Sequence, residues 1–218
     1  MIIAVSLIIA YLLGSIPFGL IIAKGHHIDL RSKGSGNTGA TNVTRTLGKK
    51  WGYTCFALDV LKGTLPTLFF LLLAKGKLLA DGMSDQTFLW IWLVVGFTAV
   101  VGHIFPLWAG FKGGKGVATS FGVGLGLWPY FTGCAIGAII TWGITVLTTR
   151  TVSLASIIAA LLFPVYLLVA ILLIPQWQFQ TLWPLLFIGF AIALTVVLRH
   201  KENIQRLRSG TEHRLTEK

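Results

Sequence analysis

Long apolar segments alternate with short polar ones along the whole chain, and the apolar segments lack the alternating pattern of a membrane β-strand. About 20 apolar residues suffice for a helix to cross the hydrocarbon core of a bilayer. The apolar run from 117 to 147 is longer than one span needs, and we divide it at Trp128-Pro129-Tyr130, where proline disfavours a continuous helix. The pattern predicts an all-α, polytopic integral membrane protein, folded as a single domain, with seven transmembrane helices at approximately residues 2–23, 53–74, 88–103, 117–127, 130–147, 152–174 and 182–198.

The basic residues are distributed unevenly between the two sides that seven spans define. Fifteen of the eighteen lysines and arginines fall on one side, in the segments Lys24–Lys50, His103–Gly116, Thr148–Thr151 and Arg199–Lys218. The opposite side carries only Lys75 and Lys77. Because loops rich in basic residues stay in the cytoplasm, we expect an external N-terminus and a cytoplasmic C-terminus. Treating 117–147 as one span would place the basic tail outside, which favours seven spans.

Composition supports a membrane protein and indicates the kind of molecule that it binds. Hydrophobic residues make up 55% of the 218 residues and charged residues 11%, with a mean hydropathy of +0.79, which excludes a soluble domain. The net charge of +11 suits anionic lipid headgroups and phosphorylated substrates better than nucleic acid, because it lies between the spans and in the tail. Cys55 and Cys134 are solitary, and no His/Cys spacing indicates a metal site. Met1–Ala23 lacks a basic n-region and is interpreted as a retained span rather than a signal peptide.

The stretch Gly102–Gly116 interrupts the apolar pattern with four glycines and two lysines after Pro106, which is expected to end the preceding helix. Glycine permits backbone shapes that turn successive N–H groups toward one point, and Lys112 and Lys115 add positive charge. The stretch is therefore a candidate phosphate cradle. It is not a Walker loop, because Ala109 and Gly116 occupy positions where that motif needs glycine and Ser or Thr. A basic, flexible loop is the alternative interpretation.

A second polar segment lies between the first two spans. It contains Ser35-Gly36-Asn37-Thr38-Gly39-Ala40-Thr41-Asn42-Val43-Thr44-Arg45, which is dense in hydroxyls, amides and backbone N–H groups and ends in a fixed cation. These groups suit a phosphorylated polyol, although an ordinary polar loop has a similar composition.

Two opposite charges lie inside the second span. Asp59 and Lys62 are three residues apart and therefore share a helical face. Each would cost about 3 kcal/mol alone at the bilayer centre, so we expect them to pair. Asp59 lies only about 9 Å along the helix from Tyr53, near the cytoplasmic end. Structural support of a site and a direct role in it both remain open.

Two further polar pairs fall on the predicted cytoplasmic side. Arg150 and Ser153 bracket the start of the sixth span, where helix N–H groups favour an anion, although a snorkelling arginine is an alternative for Arg150. His200 and Asn203 share a face if the last helix continues past Leu198. These two pairs, the segment Ser35–Arg45 and the stretch Gly102–Gly116 all lie on one predicted membrane face. Together the four fragments suggest a single composite, phosphate-rich site.

These fragments resemble the motifs of the bacterial acyl-phosphate:glycerol-3-phosphate acyltransferase family (PlsY). Ser35–Arg45 is similar to its first motif, and Gly-His-Ile-Phe-Pro with Phe-Lys-Gly-Gly-Lys-Gly-Val-Ala-Thr is similar to its second. His200–Arg206 with Gly210 and Glu212 is similar to its third, and Asp59-x-x-Lys62-Gly63 also fits. The resemblance covers essentially the whole chain.

The resemblance implies transfer of a fatty acyl group from acyl phosphate to the 1-hydroxyl of glycerol 3-phosphate. The products are lysophosphatidic acid and phosphate, in the first step of bacterial phospholipid synthesis. It implies a multi-pass enzyme of the bacterial cytoplasmic (inner) membrane with its active site on the cytoplasmic face. No cofactor, nucleic acid or obligate protein partner is expected, and the partners are the two substrates and membrane lipids.

The resemblance also implies roles for individual residues. Arg45, Lys115, Ser153, His200 and Asn203 would hold glycerol 3-phosphate, and Ser35 with the glycines of both loops would hold acyl phosphate. The expected catalytic residues are Ser35, Lys115, His200 and Asn203. The expected substrate-binding residues are Arg45, Lys112, Ser153, Asn37, Thr41, Asn42, Gly36, Gly39, Gly113, Gly114, Gly116 and His103.

The residue chemistry agrees with an activated donor. The H-x-x-x-x-D dyad of other glycerolipid acyltransferases is absent, because Trp108 follows His103 by five residues and Gln205 follows His200 by five. Positioning and charge stabilisation could then suffice, with the proton of the hydroxyl passing to the donor's own phosphate or to His200. A polyol-phosphate permease and a lipid-binding protein without turnover are the alternative functions, but the polar motifs gather at one interface rather than at the midplane.

Overall fold

The structure is a computed structural model that describes residues 1–76 and 83–215. Within those residues all regular secondary structure is helical, as the sequence predicts, with short 3-10 turns at Leu30–Ser32 and Leu107–Ala109. The α-helices are α1 (Ile2–Ser15), α2 (Phe18–Gly25), α3 (Ala40–Leu47), α4 (Lys49–Lys75), α5 (Asp85–Ile104), α6 (Val117–Gly126), α7 (Thr132–Thr149), α8 (Val152–Leu173), α9 (Phe179–Arg199) and α10 (Lys201–Arg208).

Six helical segments in the described residues are long and apolar enough to cross a membrane. They are Ile2–Gly25, Lys49–Ala74, Asp85–Ala109, Thr132–Thr149, Val152–Leu173 and Phe179–Arg199. The apolar helix α6 has 10 residues, about 15 Å of length, which is half of the roughly 30 Å hydrocarbon core. The predicted division of the 117–147 run is confirmed, because α6 ends at Gly126 and α7 begins at Thr132. A multi-pass helical architecture is thus confirmed, while the seventh crossing stays a prediction.

The first span is broken near its middle. α1 ends at Ser15 and α2 begins at Phe18, because Pro17 has no N–H group to continue the helix. The carbonyl of Ile16, released by this break, accepts a hydrogen bond from Lys62 Nζ of α4 at 2.8 Å. The break therefore provides a polar anchor for the buried charge of α4.

The chain divides into two compact units, Met1–Leu127 and Trp128–Lys218. In the first unit, α4 packs against α6, and α1 packs against α5. Gly122 of α6 lies against the backbone of Val60, so a Cβ at position 122 would overlap α4. Thr64 Oγ1 donates to the carbonyl of Gly122 at 2.8 Å. These contacts hold α6, which directly follows the glycine-rich stretch, against α4.

In the second unit, α8 packs against both α7 and α9. The rings of Phe131 and Phe163 meet edge to face at 5.1 Å, and the hydroxyls of Thr141 and Tyr166 lie 2.7 Å apart. The short helix α10 contacts both α8 and α9. This packing brings the beginning of α8 next to the chain that follows the last span.

Several helix boundaries differ from the predicted spans. The polar segment 24–50 contains the helix α3, which begins after Gly39 and is capped at its C-terminal end by Gly48, where φ is +91°. α4 begins at Lys49 rather than at 53, and α5 begins at Asp85, capped by the Ser84 hydroxyl, which accepts a hydrogen bond from the N–H of Thr87. Polar end turns carry no hydropathy signal, which is why the predicted spans are too short there. Lys77 and Lys218, which entered the charge comparison, lie outside the described residues.

Candidate active site

The glycine-rich stretch forms a loop that folds back onto the end of α5. The N–H groups of Gly113 and Gly114 donate to the carbonyls of Ile104 at 3.1 Å and His103 at 3.2 Å. A Cβ on Gly113 would overlap the His103 carbonyl and the Pro106 ring, and a Cβ on Gly114 would overlap the His103 imidazole. The lack of a side chain at Gly113 and Gly114 therefore allows the backbone of the loop to approach α5 closely. In this structure their N–H groups donate to carbonyls of α5 rather than pointing toward an anion site.

Gly116 has a different role from the two glycines before it. Its φ of +86° is a left-handed value that favours glycine, and it forms the N-cap of α6. The first N–H groups of a helix have no partner within the helix and attract anions. Lys115, which is half-buried, comes directly before this helix start. The cation and the helix N-terminus together keep this end of the loop a candidate anion site.

The first polar segment is shaped by its own asparagines. Asn42 is buried, and its side chain accepts a hydrogen bond from the Ser35 N–H at 2.9 Å while donating to the carbonyls of Leu30 and Lys33. Asn37 Oδ1 accepts from the N–H of Gly39 at 2.9 Å. Both side chains thus hold the backbone of the segment, as Asn side chains commonly do in turns, and their contact with substrate stays a prediction.

The other expected site residues of this segment lie at or near its surface. Ser35 is exposed, Gly36 has a φ of +68°, and Gly39 precedes α3. Thr41 and Arg45 lie four residues apart on α3 and therefore share a face.

Arg31 joins the two loops of the first unit. Its Nη2 donates to the carbonyl of Ala109 at 2.6 Å and to the carbonyl of Lys112 at 3.1 Å. The guanidinium thus ties the segment that carries Ser35–Arg45 to the loop that carries Lys112–Gly116. Sequence reasoning missed Arg31, because its partners are main-chain carbonyls 78 and 81 residues away.

A buried ionic cluster lies beneath the loop. Lys62 Nζ is 3.0 Å from Asp59 Oδ1, which confirms the predicted pair, and both side chains are buried. His103 Nδ1 is 3.7 Å from the same carboxylate oxygen. The imidazole of His103 is buried between this cluster and Gly114, so His103 connects the cluster to the loop. This arrangement favours a supporting role for Asp59 and Lys62.

The second unit carries its own polar cluster, centred on Glu212. Ser153 Oγ donates to Glu212 Oε1 at 2.9 Å and Asn203 Nδ2 donates to the same oxygen at 2.7 Å. Arg206 Nε donates to Oε2 at 2.7 Å. Partial burial raises the pKa of Glu212, but the hydrogen bonds from Asn203, Arg206 and Ser153 and the charge of Arg206 outweigh it and hold that pKa below its ordinary value.

His200 lies between α9, which ends at Arg199, and α10, which begins at Lys201, so the chain past Leu198 is helical but in a separate helix. The side chain is buried, and Nδ1 lies 2.7 Å from the carbonyl of Val196. A carbonyl can only accept, so Nδ1 carries the proton and Nε2 is the basic nitrogen of the neutral ring. The Arg150 carbonyl accepts a hydrogen bond from the N–H of Leu215 at 2.8 Å, which holds the tail beside the start of α8.

The expected site residues thus form two groups. The first unit brings together the segment from Ser35 to Arg45 with His103, Lys112, Gly113, Gly114, Lys115 and Gly116, and the second unit brings together Ser153, His200 and Asn203. Within residues 1–76 and 83–215, no group of three His, Cys, Asp or Glu side chains is arranged to hold a metal ion. A single site that joins both groups stays a prediction.

Comparison with known proteins identifies the family. Residues 4–210 match the family model described as glycerol-3-phosphate acyltransferase. The chain belongs to this family. The glycerol-3-phosphate acyltransferase of Aquifex aeolicus is 42% identical over 207 residues, which cover 95% of this chain and 96% of that protein. That of Geobacter sulfurreducens is 43% identical over 206 residues, which cover 94% of each chain.

Solved structures of PlsY, an integral membrane glycerol 3-phosphate acyltransferase, have the same fold. The glycerol 3-phosphate form has a TM-score of 0.83 and 41% identity, covering 99% of this chain and 96% of that chain. The lysophosphatidic acid form has a TM-score of 0.80 and 41% identity, covering 98% and 95%. The family resemblance read from the motifs is confirmed, and with it an integral membrane acyltransferase of phospholipid synthesis.

Proposed function

We propose that this chain transfers a fatty acyl group from acyl phosphate to the 1-hydroxyl of glycerol 3-phosphate, giving lysophosphatidic acid and phosphate. The observation that carries the proposal is the full-length likeness to an acyltransferase crystallised in glycerol 3-phosphate and lysophosphatidic acid forms. An acyl phosphate fits this chain because no H-x-x-x-x-D dyad is present to assist a less activated donor. The catalytic and binding roles named for both units belong to this proposal.

The proposed reaction needs no covalent intermediate on the protein. The 1-hydroxyl oxygen of glycerol 3-phosphate attacks the carbonyl carbon of acyl phosphate, and the bond from that carbon to the phosphate oxygen breaks. The leaving phosphate carries away the bonding electrons and takes the hydroxyl proton, so the products are lysophosphatidic acid and inorganic phosphate. His200 Nε2 is the alternative proton acceptor. Each well-aimed donor to the developing oxyanion contributes about 3 kcal/mol.

In this proposal the polar groups of each unit have different roles. Arg45 and Lys115 supply the positive charges for phosphate, and the N-terminus of α6 follows Lys115 directly. Ser153 Oγ and Asn203 Nδ2 both donate to Glu212 Oε1, which fixes the orientation of the two side chains. Hydroxyl and amide groups of this kind suit the hydroxyls of a glycerol backbone.

The proposed topology places all of these groups at the cytoplasmic face of the bacterial inner membrane. It requires α6 to act as a short seventh crossing, together with the apolar residues that follow it, in a locally thinned bilayer. Without that crossing, the first polar segment and the C-terminal tail would face opposite sides. The concentration of fifteen basic residues on one side supports the seven-span arrangement.

The test is an acyl-transfer assay on purified protein with glycerol 3-phosphate and one of two donors, long-chain acyl phosphate or long-chain acyl-CoA. We expect lysophosphatidic acid and stoichiometric phosphate from acyl phosphate, and no product from acyl-CoA. Arg45→Ala and Lys115→Ala are expected to abolish turnover, with Lys49→Ala, an exposed lysine outside both groups, as the control. Turnover with acyl-CoA but not with acyl phosphate would refute the donor assignment.

A further inference from the structure

The chain between α5 and the glycine-rich loop turns large apolar side chains outward. Phe105, Leu107, Trp108 and Phe111 are 46%, 43%, 60% and 54% exposed. We call residues 105–111 the aromatic loop. Exposed apolar side chains are expected on a helix that spans a bilayer, but here they occupy a short turn and irregular backbone. The aromatic loop therefore needs an apolar covering of its own.

The backbone of the aromatic loop holds one ring outward in an unfavourable conformation. Phe111 has a φ of +60°, a left-handed value that is rare for a bulky residue. Glycine would adopt it without strain, as Gly110 does directly before it with a φ of +63°. The Phe111 N–H donates to the Pro106 carbonyl at 2.9 Å, which fixes the turn. Strain of this kind that persists in a well-held loop indicates a function for the side chain.

Positive charge borders the same loop. The guanidinium of Arg31 donates to the carbonyls of Ala109 and Lys112, and the side chain of Lys112 is exposed directly after Phe111. Aromatic side chains flanked by Arg and Lys are typical of the boundary between a bilayer and water, where the rings lie at headgroup depth and the cations meet anionic lipids. The aromatic loop follows helix α5 and covers the last five residues of the candidate span Asp85–Ala109, so it lies at the depth of that boundary. The covering indicated by these observations is lipid.

We propose that the aromatic loop is an interfacial anchor, with Trp108 and Phe111 inserted into the leaflet that α5 reaches at its C-terminal end. This insertion seats the loop from Gly113 to Gly116 at headgroup depth. An amphiphilic acyl donor in that leaflet carries its phosphate at the same depth. The insertion itself does not depend on the acyltransferase chemistry, whereas its benefit for the donor rests on the proposed function.

The insertion is tested by depth measurement with spin labels. Single cysteines for the label replace Trp108 and Phe111, and Lys49→Cys on the exposed start of α4 is the control. The native Cys55 and Cys134 are buried, so the label is expected to react with the introduced cysteines. The labelled proteins are reconstituted in vesicles of phosphatidylethanolamine and phosphatidylglycerol. We expect the labels at 108 and 111 to collide more with oxygen than with a water-soluble nickel complex, and the label at 49 to show the reverse. Nickel accessibility at 108 and 111 equal to that at 49 would overturn the proposal.

The benefit for the donor is tested with two acyl phosphates. We expect Phe111→Ser to lower kcat/KM severalfold for a long-chain acyl phosphate presented in vesicles, and to leave it unchanged for a short-chain, water-soluble one. Phe111→Leu, which keeps an apolar side chain, should retain the activity with both. An equal loss with both donors would show that Phe111 serves only the shape of the loop. Wild-type protein inactive with both would refute the proposed function, while the depth measurement would still decide the insertion.

Discussion

Lys62 Nζ lies 3.0 Å from Asp59 Oδ1, one helical turn away, and neither side chain reaches solvent. Lys62 also holds the carbonyl of Ile16 at the break in the first span, and His103 approaches Asp59 from α5. The pair thus ties three helical segments of the first unit together beneath the glycine-rich loop. We expect its contribution to be structural in the first place, because the ions are paired with each other.

Removing one member of this pair should damage the protein more than removing both. Lys62→Met leaves a buried carboxylate without its ammonium partner, which costs about 3–5 kcal/mol, whereas Lys62→Met with Asp59→Asn removes both charges. We expect a much lower Tm for the single variant and partial recovery in the double variant, measured on purified protein. Leu61→Met, a change to an exposed side chain of the same helix, is the control. A double variant less stable than the single one would contradict the pairing argument.

Gly114 should not tolerate even one added methyl group. Gly114→Ala places a Cβ against the buried imidazole of His103, so we expect lower thermal stability, by about 1–3 kcal/mol for a forced fit in a packed site. Gly25→Ala, where a Cβ meets nothing within 4 Å, is the matched control. Combining Gly114→Ala with His103→Ala should recover part of the lost stability. No recovery would show that the imidazole is not the group that excludes a side chain.

Arg31 is expected to act through the loop that it holds. Arg31→Ala removes two hydrogen bonds to main-chain carbonyls, each worth about 1 kcal/mol or somewhat more because the donor is charged. We expect KM for the phosphate substrates to rise about tenfold if that energy positions the loop, with a small change in Tm. Steady-state kinetics with both substrates measure this, and Lys33→Ala, an exposed neighbouring cation, controls for the loss of charge. Equal effects of the two substitutions would indicate general electrostatics instead.

The Glu212 cluster predicts an acid-sensitive tail. Because the pKa of Glu212 lies below its ordinary value in the folded protein, its stabilising contribution is complete above the ordinary pKa of about 4.3 and is lost as the pH falls through the folded pKa. We expect wild type to exceed Glu212→Gln in Tm at neutral pH, with the difference shrinking as the pH falls below that ordinary value. Glu202→Gln, on the exposed side of α10, should show no such pH dependence. A difference between wild type and Glu212→Gln that is constant with pH would contradict the argument.

Hydropathy predicts the apolar interiors of the helices better than the polar segments between them. The span predicted at 152–174 is the helix Val152–Leu173, because nearly every residue in it is apolar. The helix Ala40–Leu47 was missed, since its Thr and Asn residues have low helix propensity and its place is fixed by packing on α4, where Gly52 allows Thr44 to approach. Local sequence carries no information about that contact.

For the candidate site, too, the sequence predicts the types of residue better than the contacts of their side chains. The types and order of Ser153, His200 and Asn203 indicated a polar group, and the structure brings these residues into one unit. Substrate binding by Asn37 and Asn42 stays a prediction, whereas the hydrogen bonds of their side chains to nearby backbone groups could not be predicted from the sequence. The contacts of Arg31 could not be predicted from the sequence, because a main-chain carbonyl accepts a hydrogen bond whatever side chain its residue carries.

The central proposal, the single composite site that the sequence predicts, requires that the first polar segment and the C-terminal tail lie on the same side of the membrane. Sided labelling with a membrane-impermeant maleimide tests this directly, with single cysteines at three exposed positions, Lys33, Lys201 and Ser84. In intact cells we expect Ser84→Cys to be labelled and both Lys33→Cys and Lys201→Cys to be protected until the membrane is opened. Labelling of Lys33→Cys and Lys201→Cys from opposite sides would show that α6 does not cross, and would rule out a single site.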